Sequence, residues 1–173
     1  LRYAKNISCA MIYDRTCNCE GTEQLRFTDI IEKKVTELNK RNYQKELDKL
    51  IDNIKKEEKV PRLFLHGCCA PCSSYVLEYL SQYFEITVFF YNPNISLVEE
   101  YSKRVAEIRR LIAEMSFAHP VHIEEGTYDP QVFYEMAKGM EKVPEGGERC
   151  FKCYRLRMEE AAGLAQKGNY DYF

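Results

Sequence analysis

Cys68, Cys69 and Cys72 fall within five residues, and Cys150 and Cys153 repeat the C-x-x-C spacing further along the chain. A thiolate is both a nucleophile and a soft metal ligand, so this set points to a thiophilic metal, an iron–sulfur cluster or thiol redox chemistry. Two C-x-x-C pairs commonly frame a tetrahedral zinc ion. The first element here is C-C-x-x-C, however, which crowds two adjacent thiols onto one turn and suits a cluster with separated irons better than a single ion. Spacing alone leaves a cluster, zinc and a metal-free thiol site open. Five thiols are one more than a cubane cluster needs, so an adjacent mononuclear metal ion, iron or zinc, or a reactive thiol beside the cluster stays open as well. A lone cysteine is most often a small buried apolar residue; five spaced in this way are read as converging.

The elements around them explain how. Leu63 to His66 is an apolar run stopped by Gly67 and reads as a buried strand, whereas Tyr75 to Tyr83 has helical periodicity, with Val76, Leu77, Leu80 and Phe84 inward. Cys68, Cys69 and Cys72 are therefore placed in the turn between strand and helix, where open α/β sheets carry their chemistry and where a helix N-terminus is expected to lower thiol pKa values. His66 and Cys72 are the candidate catalytic groups; a hydrogen-bonded core histidine is the alternative reading of His66. Glu85 to Tyr91 is a β-branched and aromatic strand without alternation, as in a parallel sheet covered on both faces. Asn92-Pro93-Asn94 is a turn. Ser96 and Glu99 form a capping box for a helix carrying Val98, Tyr101, Val105, Ile108, Ile112 and Met115. A third strand spans Val121 to Ile123, and a helix begins at Asp129-Pro130 and ends near Gly139. The loop from Pro144 to Arg149 delivers Cys150 to a last helix with Leu156, Ala161, Leu164 and Ala165 inward and Gly168 as its stop. The alternation predicts an α/β domain with an open, mostly parallel sheet flanked by helices.

With 173 residues, 45% of them hydrophobic, and a net charge of −2, the chain can bury one core, and its charge selects no partner. No run approaches a membrane span and no secretory leader is visible, so a cytoplasmic protein without a membrane partner is expected, and eight cysteines read as metal or redox chemistry rather than a disulfide scaffold. Residues 1–27, with Cys9, Cys17 and Cys19, show no period and read as an extension outside the site. Residues 28–60 read as one or two amphipathic surface helices, with a coiled-coil alternative that Asn39, Asn42 and Asn53 interrupt, and residues 61–173 as the catalytic domain. Leu1 at the start and a strand-like run at Asn169 to Phe173 suggest a piece of a longer chain, incomplete at its C-terminal end.

Three motifs together carry a resemblance: His66-Gly67-Cys68-Cys69-Ala70-Pro71-Cys72-Ser73-Ser74, Tyr91-Asn92-Pro93-Asn94-Ile95, and Pro144-Glu145-Gly146-Gly147-Glu148-Arg149-Cys150-Phe151-Lys152-Cys153-Tyr154. In this order they resemble the QueH-type epoxyqueuosine reductases, over about residues 42–173. The resemblance implies an adenine-nucleotide hydrolase-like fold and a tRNA-modifying oxidoreductase that converts epoxyqueuosine to queuosine at the wobble position of tRNAs with GUN anticodons, fed by an electron donor protein. It implies a [4Fe-4S] cluster on Cys68, Cys69, Cys150 and Cys153, with Cys72 as a fifth ligand to the cluster or to a neighbouring iron or zinc ion. The family also carries, further along its chain, a C-x-C pair read as a redox-active disulfide, and this sequence stops before that region. For such a substrate, Tyr91, Tyr101, Arg149, Tyr154 and Arg155 are the candidate base-stacking residues, and Arg104, Arg109, Arg110, Lys138, Lys142, Lys152 and Arg157 the candidate phosphate contacts. Two other readings compete: a zinc-stabilised nucleic-acid-binding module, and a nucleotide-binding enzyme of the same fold. Against the second, a Gly-rich phosphate loop is missing after the first strand, and Pro71 offers no N–H.

Overall fold

The computed structural model describes residues 42–173. The extension with Cys9, Cys17 and Cys19, and the first part of the amphipathic segment, lie outside the described residues. Helix α1, Tyr43–Glu57, belongs to a unit separate from Val60–Phe173. Asn42 starts this helix: its side chain accepts the Lys45 N–H at 3.1 Å. Glu46 in the first turn and Lys55 and Lys56 in the last suit the helix dipole.

The second unit has three parallel strands, β1 (Arg62–His66), β2 (Glu85–Phe90) and β3 (Val121–Glu125), in the order β1-β2-β3. Helices α2 (Ala70–Leu80), α3 (Val98–Glu114), α4 (Pro130–Ala137) and α5 (Glu148–Lys167) complete an α/β fold. Leu63 pairs with Phe64 as the innermost part of β1, and β2 is buried from Ile86 to Phe90. Because successive strand residues point to opposite faces, Phe64, Thr87 and Phe89 share one face and Leu63, Ile86, Val88 and Phe90 the other. On the first face the Phe64 and Phe89 rings stack at 5.0 Å, and Ala161 and Ala165 of α5 pack with them. Two alanines one turn apart let α5 lie close to the sheet. On the second face Phe90 meets Tyr101 of α3 at 5.2 Å.

After α5 the chain returns to the free side of β1. Asn169 takes the left-handed conformation at φ 53, while Gly168, the expected stop, ends the helix at φ −80. Asp171 N–H then donates to Arg62 O at 3.0 Å, Phe64 N–H donates to Tyr172 O at 2.9 Å, and Leu63 and Tyr172 form a parallel bridge. The strand-like reading of the last residues is met by this pairing. The chain thus winds outward from β1 through β2 to β3, then returns to the opposite side of β1. That reversal makes the carboxyl end of β1 a topological switch point, the place where open α/β sheets form their crevice.

Two local expectations give way. Helix α2 begins at Ala70 rather than Tyr75, because Pro71 in its first turn is preset for helical φ and Ser73 N–H closes onto Cys69 O at 3.2 Å. The Ser96/Glu99 capping box does not form. Leu97 occupies the N-cap of α3 without a side-chain bond, and the entry is fixed instead by Ile95 N–H on Asn92 O at 3.1 Å and Tyr128 O–H on Ile95 O at 2.8 Å. Asp129, in contrast, caps α4 as expected, accepting Gln131 N–H at 2.9 Å.

Gly67 has no room for a side chain, since a Cβ there would lie 2.8 Å from Val88 Cγ1 in a fully packed layer. Gly67→Ala should cost about 1–3 kcal/mol through overpacking, read as a lower urea midpoint; an unchanged midpoint would show that the layer yields.

Candidate metal centre

Gly67 N–H continues the sheet by donating to Phe89 O at 2.9 Å, and the chain then leaves the strand through Cys68 into the N-terminus of α2. Cys69 is the N-cap in extended conformation, and Cys72 sits in the first helical turn rather than in the preceding loop. This local path gathers three sulfurs. Those of Cys68, Cys69 and Cys72 lie within 4.8 Å of one another, with Cys68 and Cys69 3.9 Å apart. Sulfurs around a tetrahedral ion with metal–sulfur bonds of about 2.3 Å stand about 3.8 Å apart, so the group has the spacing and softness to hold a thiophilic metal.

Cys150 and Cys153 lie in the first turns of α5 and are not part of that close group. Cys150 Sγ accepts the Gly146 N–H at 3.4 Å, and Cys153 is buried. The expected five-sulfur convergence is therefore present here as a compact triple and a separate helical pair. A hydrogen-bonded chain joins them. Asn92, at the end of β2, donates from Nδ2 to Gly67 O at 3.0 Å; its Oδ1 accepts from Arg157 Nη1 at 3.1 Å, and Arg157 Nε donates to Cys153 O at 3.2 Å.

The thiols are not acidified as their position at a helix start suggested. Burial of its sulfur, then the proximity of Cys69, push Cys68 up to about 11, even though the residue as a whole is exposed. The Cys72 thiol is raised chiefly by its hydrogen bond with Cys69, and Cys153 by burial; the positive charge of Arg157 opposes the rise at Cys68 and Cys153. Crowded thiols resist a second negative charge more strongly than a helix dipole favours it. A bound cation removes that repulsion, and the donor set fits one.

His66 Nε2 donates to Tyr91 O at 2.9 Å, tying the ends of β1 and β2, and burial lowers its pKa to about 4. It is a neutral core imidazole at ordinary pH. Among the other candidates, Tyr101 is 6% exposed, set between Phe90 and Tyr128, with its O–H on Gly126 O at 3.4 Å, so it belongs to the core and not to a base-facing surface. The Tyr91 ring stacks on Phe89 and is half-buried. Tyr154 is open, as are two aromatics passed over in the sequence, Tyr75 and Phe151, which are 61% and 64% exposed. Their signal was adjacency: Tyr75 lies one turn beyond Cys72, and Phe151 lies beside Cys150. Arg149 Nη1 donates to Glu141 O at 3.3 Å, while Arg155 pairs with Glu159. Arg104 pairs with Glu100, Arg109 with Glu125 and Lys152 with Glu148; Arg110, Lys138 and Lys142 are exposed. Arg157 is 8% exposed and does not face solvent phosphate, because its guanidinium is taken up by Asn92 and the Cys153 carbonyl. Asn92 was read only as a turn residue; nothing local marks its bridging role.

Residues 63–173 match the family model described as epoxyqueuosine reductase QueH. The chain belongs to that family. Its relatives include the epoxyqueuosine reductase QueH of Staphylococcus epidermidis, 39% identical over 136 residues that make up 76% of this chain and 57% of the relative. That of Streptococcus pyogenes is 36% identical over 134 residues, 76% of this chain and 52% of the relative. That of Haemophilus influenzae is 41% identical over 113 residues, 65% of this chain and 44% of the relative. The chain spans about half the length of the curated relatives it matches. The QueH match begins at Leu63 and so contains β1, the thiol turn, Asn92 and all of α5. Among the described residues no helix is long and apolar enough to cross a membrane.

The histidine gives a pH test on the metal-free chain. Folded His66 binds its proton only near pH 4, whereas an unfolded histidine does so near 6.5. Between those values the unfolded state binds more protons, so stability is full above about 6.5 and falls as pH drops toward 4. His66→Gln should flatten that part of the urea-midpoint profile relative to the parent; an identical slope would assign it to other groups.

Proposed function

We propose that this chain carries the cluster-binding part of an epoxyqueuosine reductase, a cytoplasmic enzyme that removes the epoxide oxygen of epoxyqueuosine at the tRNA wobble position to give queuosine. The observation that carries the reading is the triple of thiol sulfurs within 4.8 Å at the sheet's switch point, in a chain of the QueH family. The reaction takes two electrons and two protons, releases the oxygen as water and leaves an alkene in the cyclopentene ring.

Cys68, Cys69, Cys150 and Cys153 are the proposed ligands of a [4Fe-4S] cluster, with Cys72 as fifth thiol to the cluster or to an adjacent iron or zinc ion. When bound, the cluster supplies electrons one at a time, delivered by a donor protein. The residues of the chain do the rest. An anticodon-loop base must leave its stack to reach the thiol turn, and the open rings of Tyr154, Phe151 and Tyr75 offer faces on which it can rest. Cys72, exposed on the first turn of α2, is the candidate proton-handling group where it does not serve as the fifth ligand. His66 keeps its Nε2 proton on the Tyr91 carbonyl and holds the strand ends together rather than titrating during turnover. The tRNA partner is one with a GUN anticodon, its phosphates met by a few of the exposed cations, among them Arg110, Lys138 and Lys142.

Anaerobically purified chain should contain iron and acid-labile sulfide in equal amounts, about four of each, with a visible absorption that bleaches on reduction. Cys69→Ala or Cys150→Ala should lose both the cluster and the conversion of epoxyqueuosine-containing tRNA. Turnover retained with the cluster gone would overturn the proposal, and zinc without sulfide in protein never exposed to air would favour a zinc-stabilised nucleic-acid-binding module. Binding of the tRNA should weaken steeply between low and physiological salt, as phosphate contacts require; a flat response would count against tRNA as partner.

A further inference from the structure

Arginine is almost never buried without a charged partner, and Arg157 enters none of the ion pairs of the described residues. Its side chain is 8% exposed on the third turn of α5. The groups it meets are all neutral: Nη1 donates to the Asn92 carboxamide at 3.1 Å, Nε to the Cys153 carbonyl at 3.2 Å, and the guanidinium carbon lies 5.1 Å from the centre of the Tyr154 ring. The carboxylates of the described ion pairs are all engaged by other cations. A fixed positive charge in a buried position calls for a negative one within reach. The acidic groups that feel it are the thiols on either side, Cys68 in the turn after β1 and Cys153 one turn back on α5.

We propose that Arg157 is a positioning residue for the iron–sulfur site: through Asn92 it holds α5 in register with the Cys68–Cys72 turn, and its charge balances the thiolates gathered there. The inference rests on the cluster reading above. Both halves follow from the geometry. The planar fork reaches two acceptors on different elements at once, which a lysine ammonium does not reproduce, and Asn92 passes the constraint to Gly67, the residue before Cys68. A permanent cation beside thiolate ligands also favours the more negative, reduced state of whatever they hold, since net local charge is one of the levers that sets a cluster's potential.

The test compares the anaerobically isolated holo-chain with R157K and R157Q, reading iron and sulfide content and the reduction potential by spectroelectrochemical titration. R157Q should shift the potential in the negative direction. R157K should stay close to the parent in potential while holding less iron, because the charge is kept and the fork is lost. Folding of each variant is checked by its circular dichroism and thermal midpoint. If R157Q does not fold, R157K alone decides, since it keeps the charge and loses the fork. A full cluster with an unchanged potential in R157Q, or an undiminished iron content in R157K, overturns this inference alone. A parent chain that holds zinc and no sulfide overturns it together with the cluster reading.

Discussion

The carboxamide of Asn92 has a donor end and an acceptor end, and in this fold each is committed. Nδ2 can only donate, and it meets the Gly67 carbonyl; Oδ1 can only accept, and it meets the Arg157 guanidinium. Turning the amide over would set donor against donor and carbonyl against carbonyl, so the two partners fix its orientation. At 1% exposure it has no water to fall back on, and a buried polar group left unsatisfied costs far more than a surface one. The ends of β1 and β2 and the third turn of α5 are therefore bound as one unit, and the sulfurs of the thiol turn and of Cys153 are placed relative to that unit.

Around this point the backbone holds charges-in-waiting close together. Three thiols at the start of α2 are held within contact range of one another by strand pairing at Gly67 and by the Pro71 turn, whatever their protonation. Burial first and then the neighbouring Cys69 raise the Cys68 thiol, the hydrogen bond with Cys69 raises that of Cys72, and burial raises that of Cys153. Metal sites are commonly built this way: the fold bears the repulsion beforehand, and the metal relieves it on binding. Arg157 contributes in the same sense from the other side, as a charge that lowers the repulsion without ligating.

The surface near the cysteines has a different character from the layer beneath it. Tyr101, Tyr91 and Phe89 pack inward, whereas Tyr75, Phe151 and Tyr154 remain open beside the thiols. Three of the seven cations expected at phosphates, Arg104, Arg109 and Lys152, are paired with the carboxylates of Glu100, Glu125 and Glu148. Such exposed pairs contribute little to stability and exchange readily for a phosphate.

What the sequence determined by itself was local. The strand at Leu63 to His66, the helix that follows the cysteines, the Asp129 cap and the placement of Cys150 and Cys153 at a helix start all follow from neighbours within a few residues, where propensity and periodicity act. The parallel α/β arrangement was legible too, because an apolar run such as Ile86 to Phe90 must be covered on both faces. Where local signals competed, they misled: Pro71 drew α2 back over Cys72, and Ser96 and Glu99 lost the N-cap to Leu97. The tertiary structure alone decided the role of Arg157, whose bond to Asn92 spans 65 positions, and of Asn92, whose bond to Gly67 spans 25. It alone moved Tyr101 into the core and raised the thiols of Cys68, Cys72 and Cys153 above their ordinary range. Hydrogen bonds and charge interactions depend on which groups meet and how much water is left between them, and neither is a property of a short stretch of chain.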